Sequence, residues 1–306
     1  MILYRVISAV IYILVGGLIA GLLAGLDRKF SARMQGRRGP SVFQPFYDVA
    51  KLFSKETLSL NGGQFVIAFS FLLLMILTGA LFFAGVDILL VFLALSTAAM
   101  FLVFAATSSN SAMSTMGAQR EMMQMLAYEP MVLITAVGFY MATGIMNGGT
   151  GSFKIIDIAT SDIPSIIYLP GIFLGFLFIL TIKFRKSHFD ISTSHHDHQE
   201  LVKGVTTDLS GRNLGMIEVA HWYENTFLLG VVALFFLSND WWSIPLAVGA
   251  ALVIYFIETI IDNVSARVKW ELMVKQYTEH SSLSLPSCQS HSVMTDVSGY
   301  LRRWRT

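Results

Sequence analysis

Seven long apolar runs, divided by short polar segments, decide what this chain can fold into. They lie at about 6–26, 65–86, 88–106, 122–146, 163–183, 214–237 and 241–262. Each comes close to or exceeds the roughly 20 residues a helix needs to cross the hydrocarbon core of a bilayer. Inside that core backbone polar groups must pair within their own segment, so the runs read as helices. The fourth is the weakest, because Glu129 sits near its start, and the second and third are parted only by a tight turn at Asp87. The first run is too long for a signal-peptide core and is followed by Asp27-Arg28-Lys29 rather than a small-residue cleavage site, so it reads as a retained span. The expected fold class is an all-α polytopic membrane protein: about seven transmembrane helices plus one amphipathic helix lying in the interface.

Charge placement orients the chain. If all seven runs cross, one face receives loops 27–64, 107–121 and 184–213 and the tail from 263. Of the 21 Lys and Arg residues, all but Arg5 and Lys154 then belong to that face, counting Lys183 with its loop. The positive-inside rule makes it cytoplasmic and puts the N-terminus outside, in a cell-membrane protein whose main loops and C-terminus are cytoplasmic. On the same side, segment 42–56 alternates Phe43, Phe46, Tyr47, Ala50, Leu52 and Phe53 with Asp48, Lys51, Lys55 and Glu56. That pattern suits a helix lying along the interface, with Pro45 tolerated in its first turn. Arg37-Arg38-Gly39-Pro40 reads as a basic turn at headgroup level, open to an anionic lipid or a protein partner.

Composition excludes several functions. Only 13% of the 306 residues are charged, about half the share in a soluble domain, and 54% are hydrophobic. A net charge of +1 gives no basic field for nucleic acid. A single cysteine, Cys288, cannot form an internal disulfide, a thiolate zinc site or an iron–sulfur cluster, so any electron-carrying cofactor belongs to a partner. No phosphate loop, dinucleotide fingerprint or nucleophile elbow is present. His188, His195, His196 and His198 have spacings compatible with metal ligation, but beside Asp190, Asp197 and Glu200 they read first as hydrogen-bonding loop residues, and no metal site is expected.

Ionisable groups within spans cost on the order of 2.5–3.5 kcal/mol each to insert, so they mark wet cavities or partners. Glu129 lies in the fourth run. Glu218, His221 and Glu224 follow at i, i+3 and i+6 in the sixth, and Glu258 and Asp262 share a face of the seventh. Lys183 closes the fifth span. Asp262, Arg185 and Lys186 read as span-end charges in contact with water. The other five acidic and imidazole groups are expected to line one hydrated ion pathway, with Lys183 at its edge; carboxylates and imidazole can both take up and release protons. Gly16, Gly17, Gly21 and Gly25 in the first span are read as permitting close packing.

The order of motifs resembles the subunit 1 family of respiratory complex I (also called its H subunit) along about residues 1–277. It runs from the first span through Arg38-Gly39-Pro40, Gln44-Pro45-Phe46 and Tyr128-Glu129. Phe189-Asp190-Ile191, Glu200-Leu201-Val202-Lys203-Gly204 and Asp208-Leu209-Ser210-Gly211 follow, ahead of an acid-bearing span. Gln44–Asp48, His195–Glu200, Ala220-His221-Trp222-Tyr223-Glu224 and Ala266-Arg267-Val268-Lys269-Trp270 are most similar to the branch found in group 4 energy-converting NiFe hydrogenases and formate hydrogenlyase. Lys183 stands where quinone-reducing relatives offer a glutamate, and His196 and His198 where they offer acids. The family's eighth span has no counterpart here: residues 279–306 read as a serine-rich, flexible cytoplasmic tail after a transmembrane domain over 1–278.

The resemblance implies a cofactor-free membrane anchor and coupling subunit of an ion-translocating, ferredoxin-linked hydrogenase. Its implied partners are hydrogenase large and small subunits, an iron–sulfur subunit and antiporter-like membrane subunits. They would carry the NiFe centre and the iron–sulfur clusters. Docking is expected on loops 33–56 and 187–210, through Arg37, Arg38, Asp48, Asp190, Asp197, Glu200 and Asp208. Two other functions remain open: the quinone-site subunit of a complex I-type dehydrogenase, and a free-standing cation or proton transporter.

Overall fold

A computed structural model describes residues 2–58, 61–146, 148–185 and 203–265. The motifs between 186 and 202, the Arg267–Trp270 region and the tail lie outside the described residues. Among the described residues nine α-helices run in chain order: α1 (Ile2–Met34), α2 (Gln44–Ser54), α3 (Gln64–Phe83), α4 (Ile88–Thr107), α5 (Ala112–Met146), α6 (Ile155–Ala159), α7 (Pro170–Lys183), α8 (Gly211–Phe236) and α9 (Ser243–Val264). Six of them, α1, α3, α4, α5, α8 and α9, are long and apolar enough to cross a membrane, and α7 is a shorter apolar helix.

The fourth and fifth spans differ from the sequence expectation. α5 begins at Ala112, ten residues before the expected start at 122, and its 35 residues reach about 52 Å at 1.5 Å per residue. Its early turns are polar, which hid them from a hydropathy reading, and Pro130 removes one helical hydrogen bond near its middle. The fifth span, expected over 163–183, is helical only over the 14 residues Pro170–Lys183, about 21 Å. Pro164 and Pro170 both push the residue before them out of helical geometry, so residues 163–169 form a short 3-10 turn and extended chain instead.

Loops at the two ends of the bundle hold together separately. At one end Leu58 and Ser210 bond each other through the Ser210 hydroxyl, which donates to the Leu58 carbonyl at 2.9 Å and accepts its N–H at 3.0 Å. Ser114 donates to Asp208 at 2.7 Å. At the other end, α3 closes on Gly85 (φ +73°), the left-handed cap that glycine adopts without a Cβ clash. The following residues then pair with the 153–155 segment: Ile88 N–H donates to Phe153 O at 2.8 Å and Ile155 N–H to Val86 O at 3.2 Å. Asn239 N–H reaches Ser161 O at 2.8 Å. This separation matches the loop assignment made from charge.

α8 is the hub, packed against α1, α2, α3, α7 and α9. Phe227 meets Phe82 edge-on at 5.3 Å, and Phe235 meets Phe139 at 4.6 Å and Phe173 at 5.1 Å. Lipid supplies no hydrophobic drive between helices, so close approach depends on small residues. The α1 glycines serve this: a Cβ on Gly21 would lie 2.5 Å from Phe46 of α2, one on Gly17 would lie 3.1 Å from Tyr223 of α8, and one on Gly25 would collide with the Val42 carbonyl. The stripe therefore seats α2 and the turn before it as well as α8.

Candidate functional site

α8 presents Glu218, His221, Trp222 and Asn225 at i, i+3, i+4 and i+7, so the four share one face. That face is a wall of a cavity of about 410 Å³. α1 contributes Ala24, Asp27 and Arg28; α2 covers it with Pro45, Asp48, Val49 and Leu52; Phe184, Arg185, Thr206 and Tyr255 complete the lining. Arg28 and Asp48 pair at 2.6 Å across α1 and α2, and Gln44 donates to the same carboxylate at 3.0 Å. Partial burial pushes the Asp48 carboxyl up, but the hydrogen bonds from Arg28 and Gln44 and the nearby charges of Arg28 and Lys51 outweigh it and hold the group below its ordinary range. Asp27 accepts from Thr259 of α9 at 2.7 Å.

Behind the wall lies a buried ionic chain. Glu224 is 2% exposed and bonds Lys183, 7% exposed, at 3.0 Å. Its second oxygen lies 3.3 Å from Nδ1 of His221, the residue that also faces the cavity. The Lys183 ammonium sits 4.3 Å from the centre of the Tyr128 ring. Two helical turns before Tyr128, on the same face of α5, buried Glu121 accepts from Arg185 at 3.3 Å. Glu224 is 13 residues into α8, about 20 Å along its axis and near its midpoint. Lys183 is the last residue of α7, so that helix ends inside the bundle rather than at its rim. Two cations, Lys183 and Arg185, stand where α7 turns its free carbonyls and negative dipole end inward.

The chain pattern at 218, 221 and 224 therefore divides. Glu218 and His221 face the cavity, while Glu224, 120° round the helix, turns to Lys183. Glu129 is half-buried near the middle of α5, and Glu258 is buried on α9, one turn beyond Tyr255; neither is among the cavity-lining residues. Arg37 and Arg38 are exposed, with Arg37 bonded to Gln35. The hydroxyl of Ser114 is the main influence on Asp208; with smaller help from Ser111 and Ser109 it outweighs partial burial and keeps that carboxyl below its ordinary range. Asp190, Asp197 and Glu200 lie outside the described residues. Sequence reasoning missed Asp27, Glu121, Tyr128 and the inward role of Arg185. The i, i+3, i+7 spacing of Glu121, Gln124 and Tyr128 was the available signal. Among the described residues no group of three His, Cys, Asp or Glu side chains could hold a metal ion.

The sequence profile of the family described as NADH dehydrogenase matches residues 7–283. The H subunit of the F(420)H(2) dehydrogenase of Methanosarcina acetivorans is 32% identical over 252 residues, covering 72% of this chain and 68% of the relative. The H subunit of an NADH-quinone oxidoreductase from Carboxydothermus hydrogenoformans is 28% identical over 240 residues, covering 72% of this chain and 65% of the relative. The chain thus spans about two thirds of the length of these curated relatives. A solved structure of the membrane-bound sulfane sulfur reductase, an archaeal respiratory membrane complex, contains a chain of the same fold. Its TM-score is 0.77 at 21% identity, covering 93% of this chain and 99% of that one.

Proposed function

Since this chain belongs to the NADH dehydrogenase family of membrane subunits, the H-type subunits of complex I-like respiratory complexes, we propose that it is the anchor and coupling subunit of an ion-translocating, ferredoxin-linked NiFe hydrogenase. One observation carries this reading: a buried Lys183–Glu224–His221 chain that opens on a cavity walled by Asp27, Arg28, Asp48, Arg185 and Glu218. The redox module docks over α2 and the loop after α7, using Arg37, Arg38, Asp48, Asp190, Asp197, Glu200 and Asp208. Its NiFe centre and iron–sulfur clusters supply the electron chemistry; this chain supplies position and charge. An electron arriving above the cavity changes the local field. Glu218 and His221 respond by taking up or releasing a proton, or by binding a cation, and Glu224 passes the change to Lys183. Glu129 and Glu258 extend the path toward further membrane subunits.

A second reading is favoured by the relative that belongs to an NADH-quinone oxidoreductase. In it the cavity is a quinone site. Five charged residues among the fifteen that line it, Asp27, Arg28, Asp48, Arg185 and Glu218, favour the first reading, because ligand pockets are mostly apolar with only a few polar groups. Purification of the intact complex in mild detergent separates the two. Co-purifying nickel and iron–sulfur proteins, without flavin or quinone, are expected. A flavin module with bound quinone would establish the second reading, and a cofactor-free oligomer that moves ions alone would point to a transporter.

A further inference from the structure

Each oxygen of the buried Glu224 carboxylate already faces a nitrogen. One bonds the Lys183 ammonium at 3.0 Å, and the other lies 3.3 Å from Nδ1 of His221. The ammonium also stands over the Tyr128 ring, 4.3 Å from its centre. Lys183 is the last residue of α7, the helix that ends inside the bundle. Membrane transporters coordinate Na⁺ at such interrupted helices, on unwound backbone carbonyls and on the C-terminal ends of half-helices. Here the carbonyls of that last turn are used within the chain. Phe184 N–H donates to Leu180 O at 2.8 Å, Arg185 N–H donates to Ile182 O at 2.9 Å, and the Thr181 hydroxyl donates to Phe178 O at 2.7 Å. The positive charge that meets Glu224 at this helix end is therefore covalently attached.

Resting on the coupling function above, we propose that Lys183 is a tethered cation that sets which ion the buried chain carries: it fills the place beside Glu224 that Na⁺ would take, and so restricts this step to protons. Two physical arguments support this. A hard cation needs several oxygen ligands, whereas the atoms that meet the Glu224 oxygens are nitrogens of Lys183 and His221. His221 is itself packed edge-on against Phe71, with ring centres 5.6 Å apart. A Na⁺ ion there would also stand beside the Lys183 ammonium and within the field of Arg185, and like charges repel far more strongly in a buried site than in water. A proton needs neither a coordination shell nor a vacant place. It enters from cavity water at His221, where an N–H bond forms as a water O–H bond breaks. It passes to Glu224 along the 3.3 Å contact, where an O–H bond forms as an N–H bond breaks, and it leaves by the reverse steps. A hydrated cation in the outer cavity is compatible with this, since the selection acts at the buried step.

The test compares the thermal midpoint of the intact complex in NaCl and in choline chloride at equal ionic strength. Lys183→Gln removes the charge and leaves an amide oxygen beside Glu224. It should gain a saturating, Na⁺-specific rise of several degrees over wild type, because an ion that binds only the folded state stabilises it. That gain should disappear when Glu224→Gln is added. Lys183→Arg, which keeps a cation at the helix end, should respond as wild type does. No gain in Lys183→Gln, or a Na⁺ response of wild type that Glu224→Gln abolishes, overturns the proposal. A second measurement needs no variant. Wild-type complex in proteoliposomes should build a proton gradient on turnover in choline medium without Na⁺. Ion movement that requires Na⁺ overturns the proposal and leaves the coupling function standing, whereas turnover that moves no ion in either medium overturns both.

Discussion

Lys183 and Glu224 form an ion pair near the middle of a spanning helix, and its energetics follow from burial. Removing one partner of a buried pair leaves an uncompensated charge and costs about 3–5 kcal/mol, whereas replacing both with apolar side chains of similar size is close to neutral. Lys183→Met alone should lower the thermal midpoint of the purified complex, and Lys183→Met combined with Glu224→Leu should recover most of the loss. A double variant no more stable than the single one would mean that the pair is not an isolated energetic unit. Asp48 gives a pH prediction. Its carboxyl is held below its ordinary range, so the stability it contributes is full above about pH 4 and is lost as pH falls through and below that value. Proteolysis at the α1–α2 turn should therefore increase below about pH 4 in wild type, and this acid sensitivity should weaken in Asp48→Asn. At this scale the sequence was partly readable. The spacing of Glu218, His221 and Glu224 announced a polar stripe. Glu121 did not announce itself, because it precedes the expected fourth span by one residue. Arg185 looked like a span-end charge, and only the placement of α7's C-terminus inside the bundle turns it inward.

Elements were more legible than their ends. The seven apolar runs appear as helices, and the amphipathic pattern at 42–56 appears as α2, because burial of one apolar face or one apolar cylinder dominates the choice. The short α7 and long α5 were not legible from hydropathy, which counts apolar residues and is blind to proline stops and to polar turns buried by a neighbouring loop. That loop is the Gly204–Thr206 turn, and its close approach requires Gly117, where an added Cβ would meet the Gly204–Val205 backbone. The α1 glycines make an element-scale prediction. Gly21→Leu would drive a branched side chain into Phe46, an overpacking cost of about 1–3 kcal/mol. α2 should then lift, and a cysteine pair placed at positions 24 and 49, which both line the cavity, should cross-link less well than in the glycine parent. Undiminished cross-linking would show that α2 is held by its α8 contacts alone.

Across the whole molecule, the end that carries most of the basic loops and the far end are distinguished by charge and by separate loop contacts. With Cys288 replaced by Ser, a cysteine at Gly62 should label only from the cytoplasm and one at Gly149 only from outside. Both positions are exposed, and neither leaves a Cβ without room. Labelling of both from one side would break the seven-crossing topology. The central claim is that the acids within the bundle couple redox turnover to ion movement, and its most direct measurement is the number of ions moved per electron pair by the intact complex in proteoliposomes. Glu218→Gln and Glu129→Gln are expected to lower that ratio several-fold while the complex still assembles. A ratio at the wild-type level in both variants would contradict the account and leave these carboxylates with a structural role only.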